Sequence, residues 1–129
     1  MIRAIGLEAT YRTVFANGSS ESVADIPIEK GGEGRGFGPH ELLEAALATC
    51  MAITVQKFAH EHSIPLSGVE CSVSIDRSDS DAIALDYTFV FHGPVSEEQS
   101  ARLRGAAALC PVGKTLTGNI VLRNSEGVR

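Results

Sequence analysis

The chain has 129 residues, a formal net charge of -5 and a hydrophobic fraction of 43%, which predicts one soluble globular domain over residues 1–129. Its Lys and Arg residues are scattered rather than clustered, which argues against a nucleic-acid partner. No run approaches the roughly 20 apolar residues of a membrane span, so we expect no membrane partner and a cytoplasmic protein.

The amino-terminal part of the chain predicts a β-hairpin. Residues 2–15 and 22–27 are rich in β-branched and aromatic side chains, and each range predicts one strand. Asn17-Gly18, between the two ranges, is a common hairpin turn signal. A glycine-rich loop, "EKGGEGRGFG", follows the second strand.

A long apolar helix is predicted next, from Pro39 to about His62. Proline suits the first helical position, and Glu41 in the first turn suits the helix dipole. The stretch "ELLEAALATCMAI" is apolar on nearly every side. A helix of this kind has to be covered all round, and a second copy of the chain is a natural cover. We therefore expect a homodimer.

The following segment predicts a second hairpin and a second helix. Apolar and polar residues alternate over residues 69–76, and five apolar residues share one face of residues 83–91. These two strands are expected to pair. Ser96 and Gln99 form a capping-box pattern, which predicts a helix that runs to about Leu109.

The end of the chain predicts a helical turn and a last strand. The turn falls on "VGKTL" after Cys110-Pro111, and the strand falls on "GNIVLRN", residues 118–124. Strands and helices are segregated along the chain, without the βαβ alternation of a dinucleotide-binding fold. The predicted fold class is therefore α+β.

The three cysteines, Cys50, Cys71 and Cys110, fit neither a secreted disulfide scaffold nor a structural zinc site, because their number is odd and no CxxC spacing occurs. Free cysteines are usually small core residues, and Cys71, on the apolar face of its strand, is interpreted as one. Cys110 precedes Pro111 at a predicted helix start, with Lys114 one turn on, where a thiolate can be stabilised.

Two separated motifs resemble one protein family. "GPHELLEAALATCMAITVQKFA", followed some sixty residues later by "CPVGKTL", is similar to the OsmC/Ohr family of thiol peroxidases. The resemblance implies the OsmC-like fold, in which antiparallel sheets pack around a central buried helix and two chains intertwine as a homodimer.

The resemblance also implies a reaction. Cys50 would attack the distal oxygen of an organic hydroperoxide, releasing an alcohol and leaving a sulfenic acid, and Cys110 would condense with it to a disulfide. A dithiol reductant, lipoyl or similar, would then reset the pair. No metal or organic cofactor is implied. An apolar helix around the sulfur favours substrates with alkyl tails.

An activating arginine is implied as well. Burial raises the pKa of a thiol, so a reactive buried cysteine needs a nearby cation. Arg12 is the candidate, Arg35 in the glycine-rich loop is its rival, and Glu41 would orient the arginine. Family members place glutamate directly after the motif proline, whereas this chain has His40 there. Glu41 precedes Cys50 by about 14 Å of helical rise, so its role requires a helix break or a bridging arginine.

Other readings of the same residues stay open. His60 and His62 could ligate a metal together with a third group, but are more often solvated. The glycine-rich loop lacks the Lys-Ser/Thr ending of a phosphate-binding loop. The chain could instead be a non-enzymatic protein that binds an apolar ligand or senses oxidation, or its cysteines could be purely structural.

Overall fold

The computed structural model describes residues 1–6 and 10–126. It is a mixed α+β structure, as predicted, with antiparallel sheets and three α-helices. The strands are β1 (Arg3–Gly6), β2 (Thr13–Ala16), β3 (Glu21–Ala24), β4 (Gly68–Asp76) and β5 (Ala84–His92), and the helices are α1 (Pro39–Glu61), α2 (Glu97–Ala107) and α3 (Pro111–Thr117). The chain divides into two compact units, Met1–Ala45 and Ala46–Arg129. That the chain forms a single domain stays a prediction.

The amino-terminal unit contains a three-stranded antiparallel sheet in the order β1-β2-β3. The turn predicted at Asn17-Gly18 is confirmed: Gly18 has a φ of 99°, and the Asn17 amide donates to the Ser20 carbonyl. The single strand predicted over residues 2–15 is wrong. Arg3–Gly6 and Thr13–Ala16 are two separate strands that pair with each other in antiparallel register; residues 7–9 of the predicted strand lie outside the described residues.

Helix α1 has the predicted bounds to within a residue, but only one of its faces is buried within the chain. Leu47, Met51, Val55 and Ala59, four residues apart, form the buried stripe, whereas Ile53 is 56% exposed. The mean hydropathy of 1.3 over 18 residues makes α1 long and apolar enough, by composition, to cross a membrane. This differs from the sequence expectation, although the core helices of globular proteins meet the same criterion.

In the carboxy-terminal unit, β4 and β5 form the predicted antiparallel hairpin. Its register places Val69 opposite Phe91, Cys71 opposite Phe89 and Val73 opposite Tyr87. The apolar residues of both strands therefore share one face. Most of that face, Cys71 included, packs against the buried stripe of α1.

The two carboxy-terminal helices complete this core. The predicted capping box at α2 is confirmed, since the Ser96 hydroxyl accepts from the Gln99 amide and the Gln99 side chain accepts from the Ser96 amide. Leu103 and Ala107 of α2 are fully buried. The helical turn predicted after Cys110-Pro111 is α3.

The last predicted strand is wrong. Residues 118–124 form no strand, and Ile120, Val121 and Leu122 are 58%, 68% and 93% exposed. The segment has the β-branched residues of a strand, but a strand also needs a neighbouring backbone to pair with. Within the described part of this chain, the segment does not find one.

Candidate active site

Cys50 and Cys110 come together in the carboxy-terminal unit, although sixty residues separate them in the sequence. Cys110 belongs to the apolar cluster built on the α1 stripe and Cys50 packs against that cluster, close enough for Cys50 to raise the pKa of the Cys110 thiol. Both are free thiols. They are not equivalent, because Cys50 is half-buried near the middle of α1 and Cys110 is completely buried.

The Cys110 sulfur is held at the start of α3. Cys110 is the N-cap residue of that helix, Pro111 follows at the first helical position, and the Cys110 Sγ accepts a hydrogen bond from the Gly113 amide at 3.2 Å. Burial raises the pKa of the Cys110 thiol, and the neighbouring Cys50 raises it further. The amides of Gly113 and Val112 act in the opposite direction without reversing the shift. At neutral pH the Cys110 thiol therefore keeps its proton.

Cys71 lies on the apolar face of β4, in agreement with its interpretation as a core residue. Its pKa is raised, first by burial and second by its electrostatic interaction with Cys110. This interaction places Cys71 near Cys110. Among the described residues, Cys71 has no hydrogen bond to Cys50 or to Cys110.

A largely apolar cleft of about 290 Å³ lies on the Cys110 side of the thiol pair. Gly113, whose amide contacts the Cys110 sulfur, forms part of its wall. Leu47 and Met51 of α1 line another part, together with Leu85 of β5, and Lys114 contributes a cation. An alkyl chain in this cleft would lie among apolar side chains near the Cys110 sulfur.

The amino-terminal unit has a centre of its own, the buried carboxylate of Asp25, which the sequence reasoning missed. Asp25 is 4% exposed and accepts hydrogen bonds from the amides of Ile26 at 2.8 Å, Glu33 at 3.2 Å and Arg35 at 3.1 Å. The Arg35 amide is the largest cause of its lowered pKa, and the charge of Arg12 adds to the effect. An acid between Ala24 and Ile26, just before a glycine-rich loop, was the available signal.

These bonds explain the glycine-rich loop. The loop amides donate to Asp25 and to backbone carbonyls: Gly32 donates to Pro27 and Gly34 to Ile26. A Cβ at Gly32 would lie 2.0 Å from the Ile26 carbonyl oxygen, so only glycine fits there. These amides are therefore engaged in hydrogen bonds within the unit. They are not available as donors to a phosphate group, as a phosphate-binding loop would require.

The two candidate arginines differ in how they are engaged. The Arg35 side chain is 70% exposed and pairs with Glu33 at 3.3 Å. The Nε of Arg12 is buried and has no hydrogen-bond partner within the described residues. A buried donor without a hydrogen bond lowers the stability of the fold. Of the two arginines, Arg12 is therefore the one whose Nε is available to an acceptor outside the described contacts.

Glu41 acts locally at the start of α1. Its Oε1 accepts from the Gly38 amide at 2.7 Å, and its side chain is exposed, as is His40. Because α1 is one element from Pro39 to Glu61, the helix break considered for Glu41 is not present. Arg12, Arg35 and Glu41 all lie in the amino-terminal unit, and their action on Cys50 stays a prediction.

His60 lies in the last turn of α1, and His62 follows directly after the helix. His62 stacks on Phe58 with ring centroids 3.9 Å apart, and its Nδ1 is 2.9 Å from the Phe58 carbonyl oxygen. Over residues 1–6 and 10–126, no group of three or more His, Cys, Asp or Glu side chains is placed to hold a metal ion.

Comparison with known proteins agrees with this arrangement. Residues 32–124, more than two thirds of the chain, match the family described as OsmC-like protein. The chain belongs to the OsmC-like family. The matched region of this OsmC-like chain contains both members of the thiol pair and the glycine-rich loop from Gly32 onward. No match was found among curated proteins.

Solved structures share the OsmC-like fold at low sequence identity. An OsmC-like protein from Mycoplasma pneumoniae has a TM-score of 0.78 and 23% identity, over 92% of this chain and 86% of that chain. An organic hydroperoxide resistance protein OsmC from Legionella pneumophila has a TM-score of 0.66 and 24% identity, over 92% and 89%. The organic hydroperoxide resistance protein OhrB of Bacillus subtilis has a TM-score of 0.64 and 24% identity, over 92% and 90%.

Proposed function

We propose that this OsmC-like protein is a thiol-dependent peroxidase that reduces organic hydroperoxides to alcohols. The Cys50 thiolate attacks the distal peroxide oxygen, the O–O bond breaks, and the alkoxide takes up a proton and leaves as the alcohol. Cys50 becomes a sulfenic acid. The Cys110 thiol then forms an S–S bond with it and water leaves, so one peroxide is reduced for each dithiol oxidised.

The observation that carries this proposal is the pairing of two free thiols of unequal burial. Cys50 and Cys110 pack together at one apolar cluster, and Cys50 raises the pKa of the Cys110 thiol, which suits the formation of an internal disulfide. Cys110 is fully buried and its pKa is raised, which suits a thiol that waits for the sulfenic acid instead of competing for the peroxide. Cys50 is the more accessible of the two and is the better placed to meet a substrate.

Organic hydroperoxides are proposed as the substrates because the cleft on the Cys110 side of the pair is largely apolar. Each methylene that the cleft buries contributes about 0.8 kcal/mol of binding free energy. Hydrogen peroxide has no such group to bury. The Legionella and Bacillus proteins with the same fold carry organic hydroperoxide resistance in their names, which is consistent with this substrate class.

Two further roles complete the proposed cycle. Arg12, whose buried Nε lacks a partner in the described residues, is proposed to supply the cation that favours the Cys50 thiolate. A dithiol, lipoyl or similar, is proposed to reduce the disulfide by thiol–disulfide exchange. Because the cycle depends on a thiol reductant, we propose that the protein works in a reducing compartment such as the cytoplasm.

The proposed functional form is a homodimer. Large apolar side chains are exposed in the single chain at Ile53 on α1 and over Ile120–Leu122. The second of these segments has strand-forming residues but pairs with no strand in the described part of the chain. A second copy that covers the helix face and pairs with the segment would satisfy both. Sedimentation of the reduced protein tests this: a dimer is expected, and a monomer at micromolar concentration would contradict it.

Peroxide consumption by matched variants tests the function. Reduced wild-type protein, with cumene hydroperoxide and dihydrolipoamide, is expected to turn over. Cys50→Ser should abolish turnover, and Cys110→Ser should accumulate a sulfenic acid after a single turnover. Cys71→Ala is the control, since it removes the third thiol of the same core and should leave turnover intact.

The alternatives give different results in the same assay. A ligand-binding or oxidation-sensing protein would consume peroxide slowly and at nearly the same rate in all four proteins. Purely structural cysteines would leave the rates equal and change only the stability. Either pattern would overturn the proposed function.

A further inference from the structure

We propose that Gly113 is a positioning residue for Cys110, which acts both through its amide and through the absence of a side chain; the inference rests on the proposed function. The Gly113 amide donates to the Cys110 Sγ at 3.2 Å. A Cβ built on Gly113 would lie 3.1 Å from the same sulfur. The residue thus supports the sulfur and leaves it the space that it occupies.

The amide is free to do this because of its place in α3. The first amides of a helix have no carbonyl partner within the helix. In α3 the backbone bond from residue i to residue i−4 begins with Lys114, whose amide donates to the Cys110 carbonyl. The Gly113 amide, one residue earlier, is left for the sulfur. It acts against the burial that raises the pKa of the Cys110 thiol, and so favours the thiolate that the second chemical step needs.

The missing side chain matters because the Cys110 sulfur lies directly against the position that a Cβ would take. Cys110 is completely buried, and the other neighbour of a Cβ at Gly113 is Leu47, whose Cδ1 would lie at 3.8 Å. Leu47 is itself 4% exposed. The glycine is not needed for its backbone, since its φ is not positive. An alanine therefore has to displace the sulfur by a few tenths of an ångström.

That displacement should act on one step of the cycle. In the resolving step the Cys110 proton is lost, the Cys110 sulfur attacks the Cys50 sulfenic sulfur, the S–O bond breaks and the hydroxide leaves as water. Cys110 is oxidised and the sulfenic sulfur is reduced to the disulfide level. The rate depends on the distance and angle between the two sulfurs. Peroxide attack by Cys50 does not involve the Cys110 sulfur.

Single-turnover kinetics of Gly113→Ala test this inference. The rate of sulfenic acid formation after one equivalent of cumene hydroperoxide should stay within about twofold of wild type, whereas the lifetime of the dimedone-reactive species should lengthen by about tenfold. Gly105→Ala, in α2 with nothing within 4 Å of its Cβ, is the control and should change neither. An unchanged sulfenic acid lifetime in folded Gly113→Ala would overturn the role.

Two measurements keep the inference separate from the peroxidase proposal. In a Cys50→Ser background, the pH at which Cys110 becomes reactive toward iodoacetamide should rise in Gly113→Ala, whether or not the protein reduces peroxides. In a thermodynamic cycle, Gly113→Ala should lower the Tm by about 3 °C when Cys110 is present and should not lower it in Cys110→Ala. Equal Tm changes in both backgrounds would show that the alanine does not meet the sulfur.

Discussion

Each of the two units of the chain buries a group that accepts hydrogen bonds from backbone amides, and the pKa values of these two groups are shifted in opposite directions. Asp25 in the amino-terminal unit accepts three amides, led by Arg35, and its pKa is lowered. Cys110 in the carboxy-terminal unit is fully buried and has a raised pKa, although the amides of Gly113 and Val112 favour its thiolate. Three amides outweigh burial for a carboxylate, whereas fewer and weaker donors do not outweigh it for a thiol.

The difference separates a structural centre from a reactive one. The Asp25 carboxylate is structural, because it accepts hydrogen bonds from two amides of the glycine-rich loop, those of Glu33 and Arg35. The Cys110 sulfur accepts from the Gly113 amide at 3.2 Å and lies beside another thiol with which it can form a bond. The following predictions test this contrast, in order of decreasing effect.

The largest effect is expected from the arginine beside Asp25. Arg12→Gln should lower the rate of Cys50 oxidation by about 100-fold, because one preorganised charge is typically worth that much at a reacting centre. Arg35→Gln removes an exposed, paired arginine and should stay within about twofold. Stopped-flow measurement of peroxide reduction checks both variants, and equal losses in the two would remove the assignment of Arg12.

Asp25→Ala should loosen the glycine-rich loop selectively. Loss of the acceptor leaves the amides of Glu33 and Arg35 without a partner, so their hydrogen exchange should quicken by roughly tenfold. Asp86→Ala, an exposed aspartate of β5, is the control. Amides in β4 and α2 should keep their protection. Unchanged exchange at Glu33 and Arg35 would mean that Asp25 does not hold the loop.

The two pKa shifts should appear in opposite pH windows. Asp25 has a lowered pKa in the folded state, so its stabilisation is present above the unfolded value near 4 and is lost as the pH falls toward the folded value. Cys110 has a raised pKa, so its contribution is present below the unfolded value near 8.5 and is lost as the pH rises toward the folded value.

Thermal unfolding between pH 2.5 and 11 checks this pair of windows. The Tm difference between wild type and Asp25→Asn should shrink in acid. The difference between wild type and Cys110→Ala should shrink in alkali. A flat difference in either variant would contradict the corresponding shift.

The smallest effect concerns Ser96, an exposed side chain that, like Asp25, accepts a hydrogen bond from a backbone amide. The Ser96 hydroxyl caps α2 by accepting the Gln99 amide at 3.1 Å, and Ser96→Ala should lower the free energy of unfolding by about 1 kcal/mol. Peroxide turnover should not change. Urea unfolding measures the loss, and Ser72→Ala, an exposed serine of β4, should show none.

The sequence predicted best those features that depend on local spacing. Alternation located the β4–β5 hairpin, the Ser96–Gln99 pattern located the start of α2, and the apolar run after Pro39 located α1. Each of these signals lies within a few residues of its consequence. The meeting of Cys50 and Cys110 depends on long-range packing, and it could be anticipated only because both motifs resemble a known family.

The features that were missed depend on pairing across the chain. Asp25 became visible only when amides eight and ten residues later folded back onto it. Residues 118–124 have strand-forming side chains, but a strand requires a partner that this chain does not offer in its described part. The division of residues 2–15 into two paired strands, β1 and β2, was also missed, because pairing between them is not visible in the sequence of either strand.

The identity of the bond formed on oxidation tests the central claim most directly. Reduced protein is treated with one equivalent of cumene hydroperoxide, alkylated and digested, and its peptides are identified by mass spectrometry. We predict an internal Cys50–Cys110 disulfide in most molecules, with Cys71 alkylated. Two alkylated thiols at Cys50 and Cys110 after the peroxide has been consumed, or a disulfide that includes Cys71 instead, would contradict the account.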